Sequence, residues 1–249
     1  MQSQSRLVSF GILVLCVAFV LPASLRADEG DEKLRAVPFT FVGNPGDCGP
    51  TAGSRIVTAA WLTGMGLPDN GGPNVGPLPL SDTQNKRDPH LGLLLSKNGP
   101  TPDCSAAGAR IEGVRGMEVG ATFTLGFDYR NGGHCGAGAP RFNVVTRAGG
   151  VDTFHFVGGC ANGVQTPASQ DPLEWTQTRF LALAEFPPIL PGSRIQSISI
   201  IYDEGTDTPS VQDPMGVGLA VLDNIYVNGA VIRSGPSECP NGDNGNDDH

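Results

Sequence analysis

The most unusual acidic residue of the sequence is Asp223, which interrupts the apolar segment "GVGLAVLDNIYVNG" at residues 216–229. In a β-strand alternate side chains share a face, and this period predicts Asp223 on the same apolar face as Leu219, Val221 and Ile225. A buried carboxylate is costly unless it is paired, hydrogen-bonded or bound to a metal. The sequence therefore predicts a metal ligand at Asp223. The alternatives are that Asp223 accepts backbone amide hydrogens, or that a bulge at Leu222 turns it outward.

A second group of acids lies in "YDEGTDTPSVQDP", which holds Asp203, Glu204, Asp207 and Asp213 just before that segment. Four carboxylates in one loop could bind Ca²⁺, or could be the general acid and base of glycoside cleavage. Their spacing does not match the Asp-x-Asp-x-Asp-Gly loop with a late Glu. Solvated loop charge is the preferred interpretation.

Histidines and cysteines offer a third chemistry. His134 and Cys135 are neighbours, and His155 and Cys160 follow, which is a possible zinc set. In an exported protein a disulfide is favoured over thiolate ligands, and proximity favours Cys135 with Cys160. The strand "DTFHFVG" places His155 with Thr153 and opposite the phenylalanines, so we expect His155 to be exposed.

The remaining cysteines are treated in the same way, with Cys48 and Cys104 as the second candidate pair. Cys239 would then be free or would pair between molecules. Five cysteines permit many pairings, so the sequence leaves the connectivity open.

Aromatic residues are the candidates for ligand contact, because sugar rings present apolar C–H groups that pack on a π face. Trp175 lies where a loop meets a strand, and we expect it to be exposed. Tyr226 and Asn224 are expected on the face opposite Asp223, which would suit a polar concave surface. The alternative for each aromatic ring is an ordinary place in the core.

Catalysis has little support. The sequence contains no Gly-x-Ser-x-Gly elbow, no His-Glu-x-x-His and no phosphate-binding glycine loop. We assign no catalytic residue and favour a protein that is not an enzyme.

The elements that carry these residues are short strands. The 35 Gly and 21 Pro indicate frequent turns, and no long segment has the apolar period of a helix. In "ATFTLGFDYR", Phe123, Leu125, Phe127 and Tyr129 alternate with mostly polar residues, which predicts one buried and one wet face. Many short strands separated by loops predict an all-β, two-sheet antiparallel sandwich.

The ends of the chain suggest export. An early Arg, an apolar run from about Leu7 to Leu21 and small residues up to Ala27 form a signal-peptide pattern at residues 1–27. We expect an N-terminal segment at 28–47, a sandwich domain at 48–235 and an acidic, disordered tail at 236–249. The product would be secreted or extracellular, or periplasmic in a Gram-negative bacterium, and would not span a membrane after cleavage. A net charge of −9 makes nucleic acid an improbable partner.

The ordered segments "FTLGFDYR", "RFNVVTRAGG", "TRFLALAEF", "SRIQSISIIYDEG" and "GVGLAVLDNIYVNG" resemble the jelly-roll β-sandwiches of secreted carbohydrate-binding modules and their galactose-binding-domain-like relatives. The closing "LDNIYV" carries most of the resemblance. It implies a glycan ligand and a structural Ca²⁺ held in part by Asp223.

Three functions are therefore compared below. The first is an exported module that binds a glycan. The second is a structural or surface protein that binds another protein and no sugar. The third, less favoured, is a glycoside hydrolase that uses loop carboxylates.

Overall fold

The described residues form twelve β-strands. The computed structural model describes residues 33–48, 56–69, 89–185 and 187–235, all within the compact unit Lys33–His249. In chain order the strands are β1 (Arg35–Phe41), β2 (Ile56–Leu62), β3 (Gly92–Asn98), β4 (Ala106–Glu112), β5 (Thr124–Arg130), β6 (Arg141–Ala148), β7 (Val151–Gly158), β8 (Val164–Pro167), β9 (Trp175–Leu181), β10 (Arg194–Tyr202), β11 (Leu219–Val227) and β12 (Ala230–Ile232). A four-residue helix, α1 (Pro45–Cys48), and three short 3-10 turns complete the described elements.

The strands form two antiparallel sheets, which confirms the predicted all-β jelly-roll sandwich. The five-stranded sheet has the order β1-β4-β10-β6-β7. The seven-stranded sheet has the order β2-β3-β11-β5-β9-β8, and β12 pairs with β11. Strand β1, which falls in the predicted N-terminal segment at 28–47, pairs with β4 along its length.

The main core lies between the two sheets. Phe127 of β5 and Phe180 of β9 come from one sheet, and Phe142 of β6 comes from the other. The centroid of the Phe127 ring lies 5.6 Å from that of Phe142 and 6.1 Å from that of Phe180. Such distances are typical of tilted aromatic pairs, which dominate the packing of a small core.

Strand β5 follows its predicted alternation on one side only. Phe123, Leu125, Phe127 and Tyr129 are all buried in the core, as expected. The opposite side of β5 is not wet as predicted, since Asp128 is buried too.

A bulge in β11 explains why alternation failed there. Leu222 pairs with Tyr129 and Asp223 with Asp128, but the next pair is Tyr226 with Gly126. An extra residue on β11 therefore shifts the pairing, and Asn224 has a left-handed φ of 42°. Asp223 does share a face with Leu219 and Val221, but this is the outer face of the seven-stranded sheet, and Ile225 faces the core.

That outer face is covered by a second, smaller apolar cluster. It consists of Leu67, Ala168, Trp175 and Val221, with Met65, Leu94 and Leu219 packed against it. Leu67 lies in the loop after β2, and Ala168 lies between β8 and β9. The loops therefore close the surface on which Asp223 lies.

Two disulfides tie loops to the sandwich, and both predicted pairs are confirmed: Cys48 with Cys104, and Cys135 with Cys160. Cys239, the signal-peptide pattern at residues 1–27 and the tail at residues 236–249 lie outside the described residues. Within the described ranges, no helix has the length and apolar character needed to cross a membrane.

Candidate functional site

Asp223 is held by backbone amides. The N–H of Leu67 donates to its Oδ2 at 2.7 Å, and the N–H of Asn224 donates to its Oδ1 at 2.6 Å. The residue is 1% exposed. Burial raises the pKa of Asp223 well above its ordinary value, and the neighbouring carboxylates of Asp69 and Asp128 act in the same direction. The structure thus shows the alternative of an amide-bound carboxylate. The bulge lies between Asp223 and Tyr226 and not at Leu222, so it does not set the direction of Asp223.

Asn224 links this carboxylate to its neighbours. Its Nδ2 donates to Oδ2 of Asp128 at 2.8 Å and to Oε1 of Gln170 at 2.7 Å. Its Oδ1 accepts from Nε of Arg233 at 3.0 Å. The side chain is fully buried and already bonded at both ends, so it is not exposed to a ligand as the sequence predicted.

The contacts of Asp223 do not fit a calcium site. Ca²⁺ takes about six to eight oxygen ligands, whereas both oxygens of Asp223 face N–H donors. In the part of the chain that the structure describes, no group of three or more His, Cys, Asp or Glu side chains could hold a metal ion. Calcium at Asp223 stays a prediction that the geometry does not support.

The aromatic residues predicted to bind ligand are placed differently from expectation. Trp175 is 2% exposed and packs with Leu67 and Val221, because loops on both sides close over it. Tyr226 is half-buried on the same outer face as Asp223, since the bulge reverses the alternation between them. The guanidinium carbon of Arg179 lies 4.8 Å from the centroid of the Tyr226 ring. These positions do not form an open stacking surface.

The acidic loop is bonded to the rest of the protein rather than free in solvent. Asp203 pairs with Arg141, and the Oε2 of Glu204 lies 2.6 Å from Nε2 of His134. Asp207 accepts from the backbone N–H of Thr101 at 2.7 Å, and the buried Asp213 accepts from the N–H of Val217 at 2.8 Å. Each of the four carboxylates has a partner in the protein, and Glu204 and Asp213 both lie near His134, so the loop is bonded to the fold.

Cys135 and Cys160 form a disulfide, so neither can supply the thiolate ligand that the predicted zinc set requires. His134 is fully buried beneath the acidic loop. His155 is also buried, against our expectation. One of its ring nitrogens lies 2.8 Å from Oγ1 of Thr146 and the other lies 2.8 Å from the carbonyl oxygen of Pro187. The side of β7 that carries His155 faces inward, because Thr146 and Pro187 provide hydrogen-bond partners for both ring nitrogens there.

The phenylalanines of β7 consequently point outward. Phe154 is 54% exposed and Phe156 is 40% exposed. The pairing of β6 with β7 sets Phe156 opposite Asn143 and Phe154 opposite Val145, on the outer face of the five-stranded sheet. Sequence alternation missed this site, because both faces of "DTFHFVG" carry residues that can be buried.

Arg141 is held rigidly beside these rings. Its guanidinium carbon lies 4.5 Å from the centroid of the Phe156 ring. Its Nη2 donates to Oδ2 of Asp203 at 2.7 Å, and its Nε donates to Oδ1 of Asn143 at 3.2 Å. A guanidinium fixed by a ring, a carboxylate and an amide is a preorganised polar group beside the exposed rings.

The outward residues of the five strands form a continuous surface. One row of paired residues crosses the whole sheet in the order Val37, Arg110, Ser199, Asn143, Phe156. The next row runs Phe39, Gly108, Ile201, Arg141, Gly158. We call these two rows, with Val145 and Phe154, the open face.

Phe39 lies across Gly108 in this surface. A Cβ on Gly108 would be 2.7 Å from Cζ of the Phe39 ring. Because Gly108 has no side chain, the Phe39 ring can lie low on the sheet. The open face thus has an aromatic ring near each edge and polar side chains between them.

One cavity lies elsewhere, with a volume of about 330 Å³ and with Lys33, Leu91, Ile232 and Arg233 among its lining residues. Arg233 already donates to Asn224 and to the backbone oxygen of Asp69. Arg233, in the wall of this cavity, is therefore already bonded to the buried network around Asp223.

Comparisons with known proteins give one structural likeness. No protein-family model matches the chain, and no curated protein matches it. The chain is similar in structure to the family 11 carbohydrate-binding module of the cellulosomal cellulase Lic26A-Cel5E of Clostridium thermocellum, with a TM-score of 0.39 and 13% sequence identity. The alignment covers 79% of this chain and 89% of that module.

Proposed function

We propose that this protein is a binding module whose ligand is a glycan, held on the open face of the five-stranded sheet. The observation that supports this most is the exposed pair Phe154 and Phe156 beside Arg141 and Asn143. A sugar ring has apolar C–H groups on its faces and hydroxyls at its rim. Exposed rings flanked by fixed hydrogen-bonding groups suit both parts.

The two outer faces of the sandwich favour this choice of surface. On the seven-stranded sheet, loops bury Trp175, Val221 and Asp223. On the five-stranded sheet, Phe154 and Phe156 are exposed although each could pack in a core. Exposed aromatic rings that lie together are a common mark of a binding surface.

The polar groups between the rings are available for hydroxyls. Within the described residues, Nδ2 of Asn143 has no protein acceptor, because only its Oδ1 is engaged by Arg141. Ser199 lies beside it in the same row and is half-buried. An amide donor and a hydroxyl together offer both donors and acceptors to a sugar.

We also infer that the protein works outside the cytoplasm. Its two disulfides support this, since such bonds persist in oxidising compartments. The signal-peptide pattern at residues 1–27 points the same way.

A protein ligand is the second candidate. Strand β7 is an edge strand, and an edge offers unpaired backbone groups to a strand of another chain. Val151 and Phe154 are exposed on this edge. Binding of the wild type to purified glycans, with no other protein present, distinguishes the two candidates.

The test is binding of the purified protein to an array of immobilised polysaccharides, followed by affinity electrophoresis. We expect Phe154→Ala with Phe156→Ala to abolish retardation in the gel. Leu173→Ala, which removes an exposed apolar side chain far from the open face, is the matched control and should bind normally. If the wild type binds no glycan of a broad array, the proposal is wrong and a protein ligand becomes the better candidate.

A further inference from the structure

Arg110 lies in the middle of the open face. It occupies the row between Val37 and Ser199, on a strand with neighbours on both sides. It is exposed. Among the described residues it has no hydrogen-bond or ion-pair partner.

The other arginines of this side of the sheet are paired with acids. The pairs are Arg35 with Glu112, Arg141 with Asp203, Arg147 with Asp152, and Arg194 with Glu118. Glu112 is two residues from Arg110 on the same face of β4, but Arg35 neutralises it at 3.2 Å. The open face therefore carries one uncompensated positive charge, although the whole chain has a net charge of −9.

We infer that the glycan bound at the open face carries an anionic group, a carboxylate or a sulfate ester, and that Arg110 binds it. This inference rests on the proposed function. The planar guanidinium can donate two parallel hydrogen bonds to one such group. The low-lying Phe39 ring over Gly108, diagonal to Arg110, offers a surface against which the sugar that bears the charge can pack.

The net negative charge of the whole protein opposes the binding of an anionic glycan. A polyanion is repelled by a protein of net charge −9, so general electrostatic attraction cannot produce its binding. At about 0.15 M salt the screening length is about 8 Å, so only groups near the ligand act strongly. A preference for an anionic glycan would have to arise locally, at Arg110.

The experiment compares polymers that differ only in charge. The full chain is titrated with polygalacturonate and with its methyl ester, and with dextran sulfate and dextran, in about 0.15 M salt. The variants are Arg110→Gln, Phe156→Ala and Arg115→Gln. Arg115 is exposed in the turn after β4, where its charge acts on Asp152, and it belongs to neither row of the open face. Its variant changes the net charge equally.

We expect one of the anionic polymers to bind more tightly than its neutral partner by roughly ten- to hundredfold, the range of a hydrogen bond to a charged group. Arg110→Gln should reduce the affinity to that of the neutral polymer, and Arg115→Gln should not. Preference for polygalacturonate identifies a carboxylate, and preference for dextran sulfate identifies a sulfate ester.

Two results would overturn the inference and spare the proposed function. One is equal binding of charged and neutral polymers, with both lost in Phe156→Ala. The other is an equal effect of Arg110→Gln and Arg115→Gln. If no polymer of either kind binds, and no glycan of the wider array binds, the proposed function itself is wrong.

Discussion

The guanidinium carbon of Arg141 lies 4.5 Å from the centroid of the Phe156 ring, on the neighbouring strand of the same sheet. The same guanidinium donates to Asp203, at the end of β10. One cation therefore connects the acidic loop to an exposed aromatic ring. Asp203 is not part of the open face, yet the position of Arg141 beside the Phe156 ring depends on it.

Replacing that carboxylate should weaken glycan binding without unfolding the protein. In Asp203→Asn, Arg141 loses its charged partner and samples other positions. The pair is partly exposed, so its loss amounts to about 0.5–1 kcal/mol, or roughly two- to fivefold in Kd. Calorimetric titration with the bound glycan measures this. Asp207→Asn, in the same loop but bonded to Thr101, should leave Kd unchanged, and an equal loss in both variants would contradict the positioning role.

Asn224→Ala should lower the free energy of unfolding more than Asn228→Ala, although the two residues have similar backbone conformations. Asn224 and Asn228 both have a left-handed φ, of 42° and 45°. Asn224→Ala also removes the donor to Oδ2 of the buried Asp128 and to Oε1 of the buried Gln170, so we expect a loss of about 2–4 kcal/mol in the free energy of unfolding. Asn228 is exposed in a turn, and Asn228→Ala should cost about 1–2 kcal/mol for the backbone alone. Urea unfolding followed by Trp fluorescence measures both, and equal losses would show that the network contributes nothing.

Calcium should not stabilise the protein through Asp223. A ligand that binds only the folded state raises its melting temperature. Because backbone N–H groups occupy both oxygens of Asp223, we expect the same Tm in millimolar Ca²⁺ and in EDTA. Asp223→Ala should lower Tm equally in both solutions. A rise of Tm with Ca²⁺ in the wild type that is lost in Asp223→Ala would restore the calcium prediction.

The buried Asp223 should make stability fall as pH rises. Burial raises its pKa in the folded protein, so the folded state holds this proton at pH values where the unfolded chain, with an ordinary Asp pKa of about 3.9, has released it. Between these two pKa values the folded state binds more protons, and the free energy of unfolding declines with pH. Asp223→Asn cannot titrate and should remove this part of the slope.

The absolute stability of Asp223→Asn is not the readout of that test, because an amide cannot accept from both backbone N–H groups. Asp152→Asn is the control of opposite sign. A hydrogen bond from Arg147 lowers the pKa of the exposed Asp152, so its removal should change the slope in the other direction and at lower pH. Chemical unfolding at several pH values gives the slopes. Identical slopes in the wild type and in Asp223→Asn would contradict the prediction.

The general architecture could be predicted from the sequence because β5 has a clean period of two. Phe123, Leu125, Phe127 and Tyr129 all reach the core as expected. Proximity favoured both disulfides: Cys135 and Cys160 are the closest pair, 25 residues apart, and Cys48 and Cys104, 56 residues apart, are the closest of the cysteines that remain outside the signal-peptide pattern. Local pattern was sufficient for the inward face of β5, whereas the disulfide connectivity was favoured by the sequence and not fixed by it.

The site could not be predicted, for two physical reasons. The bulge beside Asp223 inserts one residue, and a count in twos then assigns the wrong face to everything after it. The predictions for Trp175 and for β7 were wrong for a different reason. The burial of Trp175 depends on Leu67, which is far away in sequence, and the inward position of His155 depends on Thr146 and Pro187. Contacts between distant segments decide these faces.

The alternation of side chains along β4, β6 and β10 has a wider consequence. Ala109, Phe142 and Ile200 face the core, while their neighbours Arg110, Asn143 and Ser199 face solvent. On the proposed function, residues that contact the ligand and residues that form the core alternate along the same strands. Substitutions at the outward positions would then change the ligand while the core that supports the two sheets stays the same.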